Sequence, residues 1–264
     1  MTISSEPPAQ KYLLDELGFA TRRDGEDLCG SASITPVMHV PGTTRLRTSI
    51  LAAWADTLTG LLATQVTTPR VPVTLELDVQ LYRPAPAEGT VEGIARVVKV
   101  GRSVFVSSVE FTSSGAGPLA IANASFMMAP DPGLKLPPSF DVELPAREDR
   151  MVLPFAERAG CERRGPGVAV LPRSEDGLNV SGTVNGGLIA LAAEEAALSL
   201  APGDTLCSLG LRYVQPARVG PVVATARQQD GLGQVELRDA GNGDRLSCIA
   251  TARTFPAGAF PGAR

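Results

Sequence analysis

The chain has little with which to bind a metal. It has one histidine, His39, and four scattered cysteines, Cys29, Cys161, Cys207 and Cys248, in 264 residues. No CxxC pair occurs, so a zinc site of the usual spacing is not expected, nor is a redox cofactor. Four isolated cysteines do not make a disulfide framework at this size, and reduced thiols in a cytoplasmic setting are expected. There is no excess of positive charge. Lys and Arg number 24 against 28 Asp and Glu, for a formal net charge of -4. That excludes a basic nucleic-acid-binding chain. The N-terminal stretch MTISSEPPAQKYLLDELG lacks a basic n-region and an apolar h-region, so no signal peptide is expected. Long apolar runs are also missing. Asp56 interrupts one candidate, and Glu194 and Glu195 interrupt another, so none reads as membrane-spanning.

What is present is 44% hydrophobic residues, enough for one large core or two smaller ones. They are arranged twice in the same order. In RLRTSILAAWADTLTGLLAT (45–64), Leu46, Ile50, Trp54, Leu58 and Leu62 recur every four residues, which predicts a helix. Pro41-Gly42-Thr43-Thr44 precede it and Pro69 follows. In VPVTLELDVQLYRPA, Val73, Leu75, Leu77, Val79 and Leu81 alternate with Thr74, Glu76, Asp78 and Gln80, which predicts a half-buried strand. Strand-like TVEGIARVVKV, RSVFVSSVEFT and LAIANASFMMA follow. The second half repeats this: helix-like GTVNGGLIALAAEEAALSL, then strand-like LGLRYVQPA, PVVATARQQ, GQVELRD and RLSCIATARTF. Upstream, GFATRRDG mirrors GCERRGPG. The reading is an α+β chain with halves at 1–130 and 151–264, joined across 131–150 by a Pro-rich extended linker.

GTVNGGLIALAAEE followed by LRYVQPARVGPVVATAR resembles the hotdog-fold acyl-CoA thioesterases, in particular the phenylacetic-acid-degradation branch. The resemblance covers most of 155–255 and is weaker over 17–130. It implies a double hotdog: two repeats, each a long central helix wrapped by an antiparallel β-sheet. It implies hydrolysis of an acyl-CoA, with CoA as part of the substrate. It leaves room for a homodimer of such tandems. In that family each site lies between two hotdogs. Carried over by position, Asn179 takes the Asn place and Gly186 that of the first Gly of the motif. Asp56 and Glu194 take the helix carboxylate place in the two halves. Thr74, ten residues before Pro84, takes the Ser/Thr place in the first half, and the same count back from Pro216 reaches Leu206. One composite site therefore has Asp56, Thr74, Asn179 and Gly186. The other has Glu194, Leu206 and a helix start where Pro41 replaces Asn and Arg47-Thr48-Ser49 replace His-Gly-Gly, and it looks degenerate. Asn185 stands where the family usually has His.

The residue types suit the chemistry. Thioester hydrolysis needs a carboxylate as base or nucleophile and donors for the oxyanion. Gly186-Gly187 at a helix start offers N–H groups, a positive dipole end and no Cβ in the way. The same pair also permits close packing. Asp56 in an apolar helix needs a reason, functional or hydrogen-bonded. Asn179 suits either orientation of water or an ordinary turn, and Glu194 either catalysis or structure. Lys99 and Arg102, flanking Gly101, are candidates for the CoA phosphates or a solvated basic turn. Trp54 reads as core. A dehydratase or hydratase acting on acyl-CoA is a rival reading, because His39-Val40-Pro41-Gly42 has the His-x-Pro-Gly form of hotdog dehydratases. That reading requires His39 to approach a carboxylate. A non-catalytic acyl-CoA-binding protein is the other rival.

Overall fold

The computed structural model describes residues 12–136 and 141–257. Helix α1, Thr48–Thr67, starts and ends later than the apolar periodicity suggests. Leu46 is held extended by a bridge to His39, and Arg47 is an extended, fully buried N-cap. Helix α2, Phe155–Arg158, is a single turn. Helix α3, Gly186–Leu198, starts at the glycine pair because the Asn185 side chain caps it, accepting from Gly187 N at 2.8 Å. Both long helices are buried on most sides, as their composition requires. From Ile50 to Ala55 of α1 and from Leu188 to Leu198 of α3, every residue is buried.

In the first half the strands are β1 (Ala20–Asp24), β2 (Asp27–Ser33), β3 (Pro72–Leu81), β4 (Thr90–Val100), β5 (Phe105–Ser113) and β6 (Gly117–Met128). In the second they are β7 (Glu162–Gly165), β8 (Val168–Leu171), β9 (Thr205–Tyr213), β10 (Val222–Gln229), β11 (Leu232–Asp239) and β12 (Arg245–Phe255). All join one sheet in the order β1-β2-β4-β5-β6-β3-β9-β12-β11-β10-β8-β7. Outward from the centre, β3-β6-β5-β4-β2-β1 on one side matches β9-β12-β11-β10-β8-β7 on the other. The repeated order in the sequence is therefore a repeated order in space. The halves join through antiparallel β3 and β9, from Glu76 opposite Arg212 to Gln80 opposite Ser208. Leu77 and Val79 of β3 and Leu209 and Leu211 of β9 share one buried cluster with both helices. Trp54 is core, stacked on Phe19 with ring centroids 5.1 Å apart.

Of the connecting segment, the described residues 131–136 and 141–150 are mostly exposed. Leu136 N donates to Pro69 O at 2.9 Å, and Thr21 N to Leu144 O at 2.8 Å, so its later part lies along the open edge of β1. All four cysteines are free thiols. Among the described residues no helix is long and apolar enough to cross a membrane.

Candidate active site

Asp56 is the polar interruption of α1, and its side chain meets residues from both halves. Thr74 Oγ1 donates to Asp56 Oδ1 at 2.9 Å. Strict alternation along β3 puts Thr74 on the polar outer face. A register shift between Thr74 and Glu76 in the pairing with β6 changes that. The extra residue, Leu75, turns Thr74 to the helix side while Glu76 stays outside. The other carboxylate oxygen faces the start of α3. A Cβ built on Gly186 would lie 3.1 Å from Asp56 Oδ2 and 3.0 Å from the Tyr213 hydroxyl. Only a residue without a side chain leaves that space open. Burial pushes the Asp56 carboxyl up from 3.8 to about 6, the Thr74 hydroxyl holding it back.

The residues around the α3 start divide the work differently from the expectation. Gly187 does not offer a free N–H, because Asn185 Oδ1 accepts it at 2.8 Å. A Cβ on Gly187 would lie 2.7 Å from Ala53 Cβ and 2.9 Å from Leu14 Cδ1, so this glycine lets α3 pack against α1. Gly187, expected in ligand binding, is here engaged in capping and in packing. No turn, loop or cap among the described residues gives the Gly186 N–H an acceptor. Asn179 Oδ1 braces its own loop, accepting from Ser181 N at 2.9 Å, Thr183 N at 3.2 Å and Thr183 Oγ1 at 3.1 Å. It makes no hydrogen bond to Asp56 among the described residues. The residue missed in the sequence is Tyr213, whose hydroxyl donates to Gly186 O at 3.1 Å. Its only signal is its place three residues before Pro216 on the strand that repeats LDVQLYRPA.

Glu194 occupies the matching place on α3, facing the start of α1, and there the space is filled. Glu194 Oε1 accepts from Thr48 N at 2.9 Å and Ser49 N at 3.3 Å. Its Oε2 accepts from Ser49 Oγ at 2.6 Å and from Arg47 Nη1 at 3.1 Å. Arg47 also pairs with Glu195 at 2.6 Å, and Glu195 with Arg163 at 2.5 Å. The side chains of Arg47 and Glu194 are 0% exposed. Leu206 is buried where Thr74 stands in the other half, and Thr48 Oγ1 donates to its carbonyl at 2.9 Å. With these contacts Glu194 is an internal ion-pair and capping residue, with no oxygen left for a substrate.

Lys99 and Arg102 are exposed at the β4–β5 turn. They share a rim of the sheet with Thr74, because Thr74 lies opposite Phe126, Phe126 opposite Phe105, and Phe105 opposite Val100. Three strand spacings make this about 14 Å. His39 Nε2 bonds to Ala87 O at 2.8 Å and pairs with no carboxylate among the described residues. A cleft of about 550 Å³ lined by Arg212, Arg227, Gln234 and Thr251 lies on the outer face of the second half, across the sheet from Asp56.

Two kinds of comparison bear on this geometry. The family model described as Thioesterase superfamily matches residues 49–119, from α1 to the start of β6. The match falls on the first half, whereas the motif that carries the resemblance lies in the second. Among solved structures, a 12:0-ACP thioesterase from Umbellularia californica is 12% identical, covers 89% of this chain and 99% of its own, and gives a TM-score of 0.61. An acyl-ACP thioesterase from Bacteroides thetaiotaomicron is 15% identical, covers 86% of this chain and 98% of its own, and gives 0.59. The fold is the hotdog fold. A search of curated proteins finds no sequence match. Each long helix packs on strands of its own half, and the Asp56 cluster takes residues from both halves.

Proposed function

We propose that the chain is a tandem double hotdog that hydrolyses acyl-CoA thioesters at the composite place around Asp56. The halves fall at 1–130 and 151–264 in this reading. One observation carries it. A carboxylate pushed up to about 6 lies against a glycine at a helix start, with its second oxygen held by Thr74. A base with that pKa is unprotonated at neutral pH yet basic enough to take a proton from water. The sequence of events follows. Asp56 Oδ2 accepts a proton from water as its oxygen attacks the thioester carbonyl carbon. The Gly186 N–H and the positive end of α3 stabilise the oxyanion. The C–S bond then breaks, and the leaving thiolate takes up the proton. The alternative is direct attack by Asp56 on the carbonyl, which expels the thiolate and leaves a mixed anhydride that water then hydrolyses. Asn179 serves by fixing the loop that leads into α3. Lys99 and Arg102, on the same rim, suit the phosphates at the far end of the CoA arm.

The motif points to the phenylacetic-acid-degradation branch, while two structural neighbours act on acyl carrier protein by name. The chain takes acyl-CoA in this reading, works in the cytoplasm and needs no metal. His39, bound to a backbone carbonyl, speaks against dehydratase chemistry. A panel of aliphatic and aromatic acyl-CoA esters, with acyl-ACP beside them and free-thiol detection, tests the proposal. Thiol release from an acyl-CoA that is lost in Asp56→Asn is expected. Release from none of the panel contradicts it.

A further inference from the structure

We infer that Tyr213 is a positioning residue for the Asp56 site, acting through the peptide that joins Gly186 to Gly187. The inference rests on the hydrolysis reading above. Tyr213 ends β9, next to the junction of the two halves. Its neighbour Arg212 faces outward, paired with Glu76 of β3 at 2.8 Å. Alternation then turns Tyr213 toward the helices. Its hydroxyl donates to Gly186 O at 3.1 Å. The N–H of the same peptide donates to Asn185 Oδ1 at 2.8 Å. One peptide is thus held at both ends, by a strand of the sheet and by the helix cap.

The clamp lies at the carboxylate itself. The place of a Cβ on Gly186 is 3.0 Å from the phenol oxygen and 3.1 Å from Asp56 Oδ2. The Gly186 N–H lies on the preceding peptide, joined to this one at the Gly186 Cα, so a shift of that Cα moves the N–H and the face turned to Asp56 together. Two titratable groups act on the phenol, Asp56 on α1 and Cys248, its register partner on β12. Burial raises the phenol well above its ordinary value, and both groups add to this. The hydroxyl therefore stays a donor throughout the working pH range. A hydroxyl that only satisfied its own burial would need no particular acceptor. This one uses the carbonyl of the glycine that faces the base.

The test compares Tyr213→Phe, Asn185→Ala and the double variant with the wild-type chain on the best acyl-CoA of the panel. Amide spectra of the same proteins are recorded. Misplacing a reacting group costs up to about 100-fold. Tyr213→Phe is expected to lower kcat by about 10–100-fold while KM stays within about twofold. The Gly187 amide nitrogen resonance is expected to move, since its carbonyl partner loses a donor. The double variant is expected to fall little below the worse single one, because both act on one peptide. Full kcat in Tyr213→Phe, a loss confined to KM, an unmoved Gly187 resonance, or losses that multiply would each overturn the inference. No turnover in the wild-type chain counts instead against hydrolysis, and the catalytic part of this inference falls with it.

Discussion

The starts of α1 and α3 are the same place in the repeat, and they have gone opposite ways. At the α3 start the facing carboxylate is Asp56, the helix opens on glycines, and the carboxylate stays half-buried. At the α1 start the facing carboxylate is Glu194, the helix opens on Arg47, Thr48 and Ser49, and no space remains. Side-chain length separates them. Glutamate has one more methylene and reaches the first N–H groups of the opposite helix, where a carboxylate is stabilised by hydrogen bonds and by the helix dipole. Aspartate stops short, and among the described residues no cap or loop gives the Gly186 N–H an acceptor. The two matched carboxylates differ in what they leave unsatisfied. A buried, fully bonded Glu194 with Arg47 beside it holds the halves together. A raised, singly bonded Asp56 is available for chemistry.

The largest effect should come from breaking the closed place. Arg47→Leu leaves Glu194 and Glu195 buried without their cation. Removing one partner of a buried pair costs about 3–5 kcal/mol. Urea unfolding should show this, while the rate per folded molecule stays close to wild type. A stability change within about 0.5 kcal/mol would mean the clamp is not structural.

Asp56→Glu should turn the open place into a copy of the closed one. The longer side chain would reach the Gly186 N–H and cap α3. Turnover should fall about 100-fold, or about 2.7 kcal/mol, without loss of thermal stability. A variant that keeps its rate would show that carboxylate reach does not separate the two places.

A smaller effect is carried by pH. In the proposed hydrolysis Asp56 is a base only when ionised, so kcat/KM should rise with pH and level off above about 6. The folded value exceeds the unfolded one, so stability from the protonated acid is complete below about 4 and lost as pH rises through about 6. Relative to wild type, Asp56→Asn should therefore gain about 1–2 kcal/mol between pH 4 and pH 7. Unfolding curves at the two pH values check the sign. A flat difference would contradict the burial of Asp56.

Much of the fold was legible because the repeat was. The matched order of helix and strands and the core role of Trp54 follow from patterning alone. The site was legible only in part. Asp56 stood out as a charge in an apolar helix, but Thr74 seemed to face outward, since a bulge at Leu75 leaves no mark in an alternating strand. The glycine pair looked like one unit, yet the structure uses Gly186 for space and Gly187 for packing against Ala53. Tyr213 was hidden because its partner is a backbone carbonyl 27 residues away. Nothing local distinguishes a tyrosine that reaches such a carbonyl from one that only fills the core.

The central claim is that only one of the two matched carboxylates does chemistry. Turnover of Asp56→Asn and Glu194→Gln on the same acyl-CoA tests it most directly. Asp56→Asn should lose about 10²–10⁴-fold with its fold intact. Glu194→Gln should keep most of its turnover per folded molecule and lose stability instead. Equal losses of turnover, or a larger loss for Glu194→Gln, would contradict it.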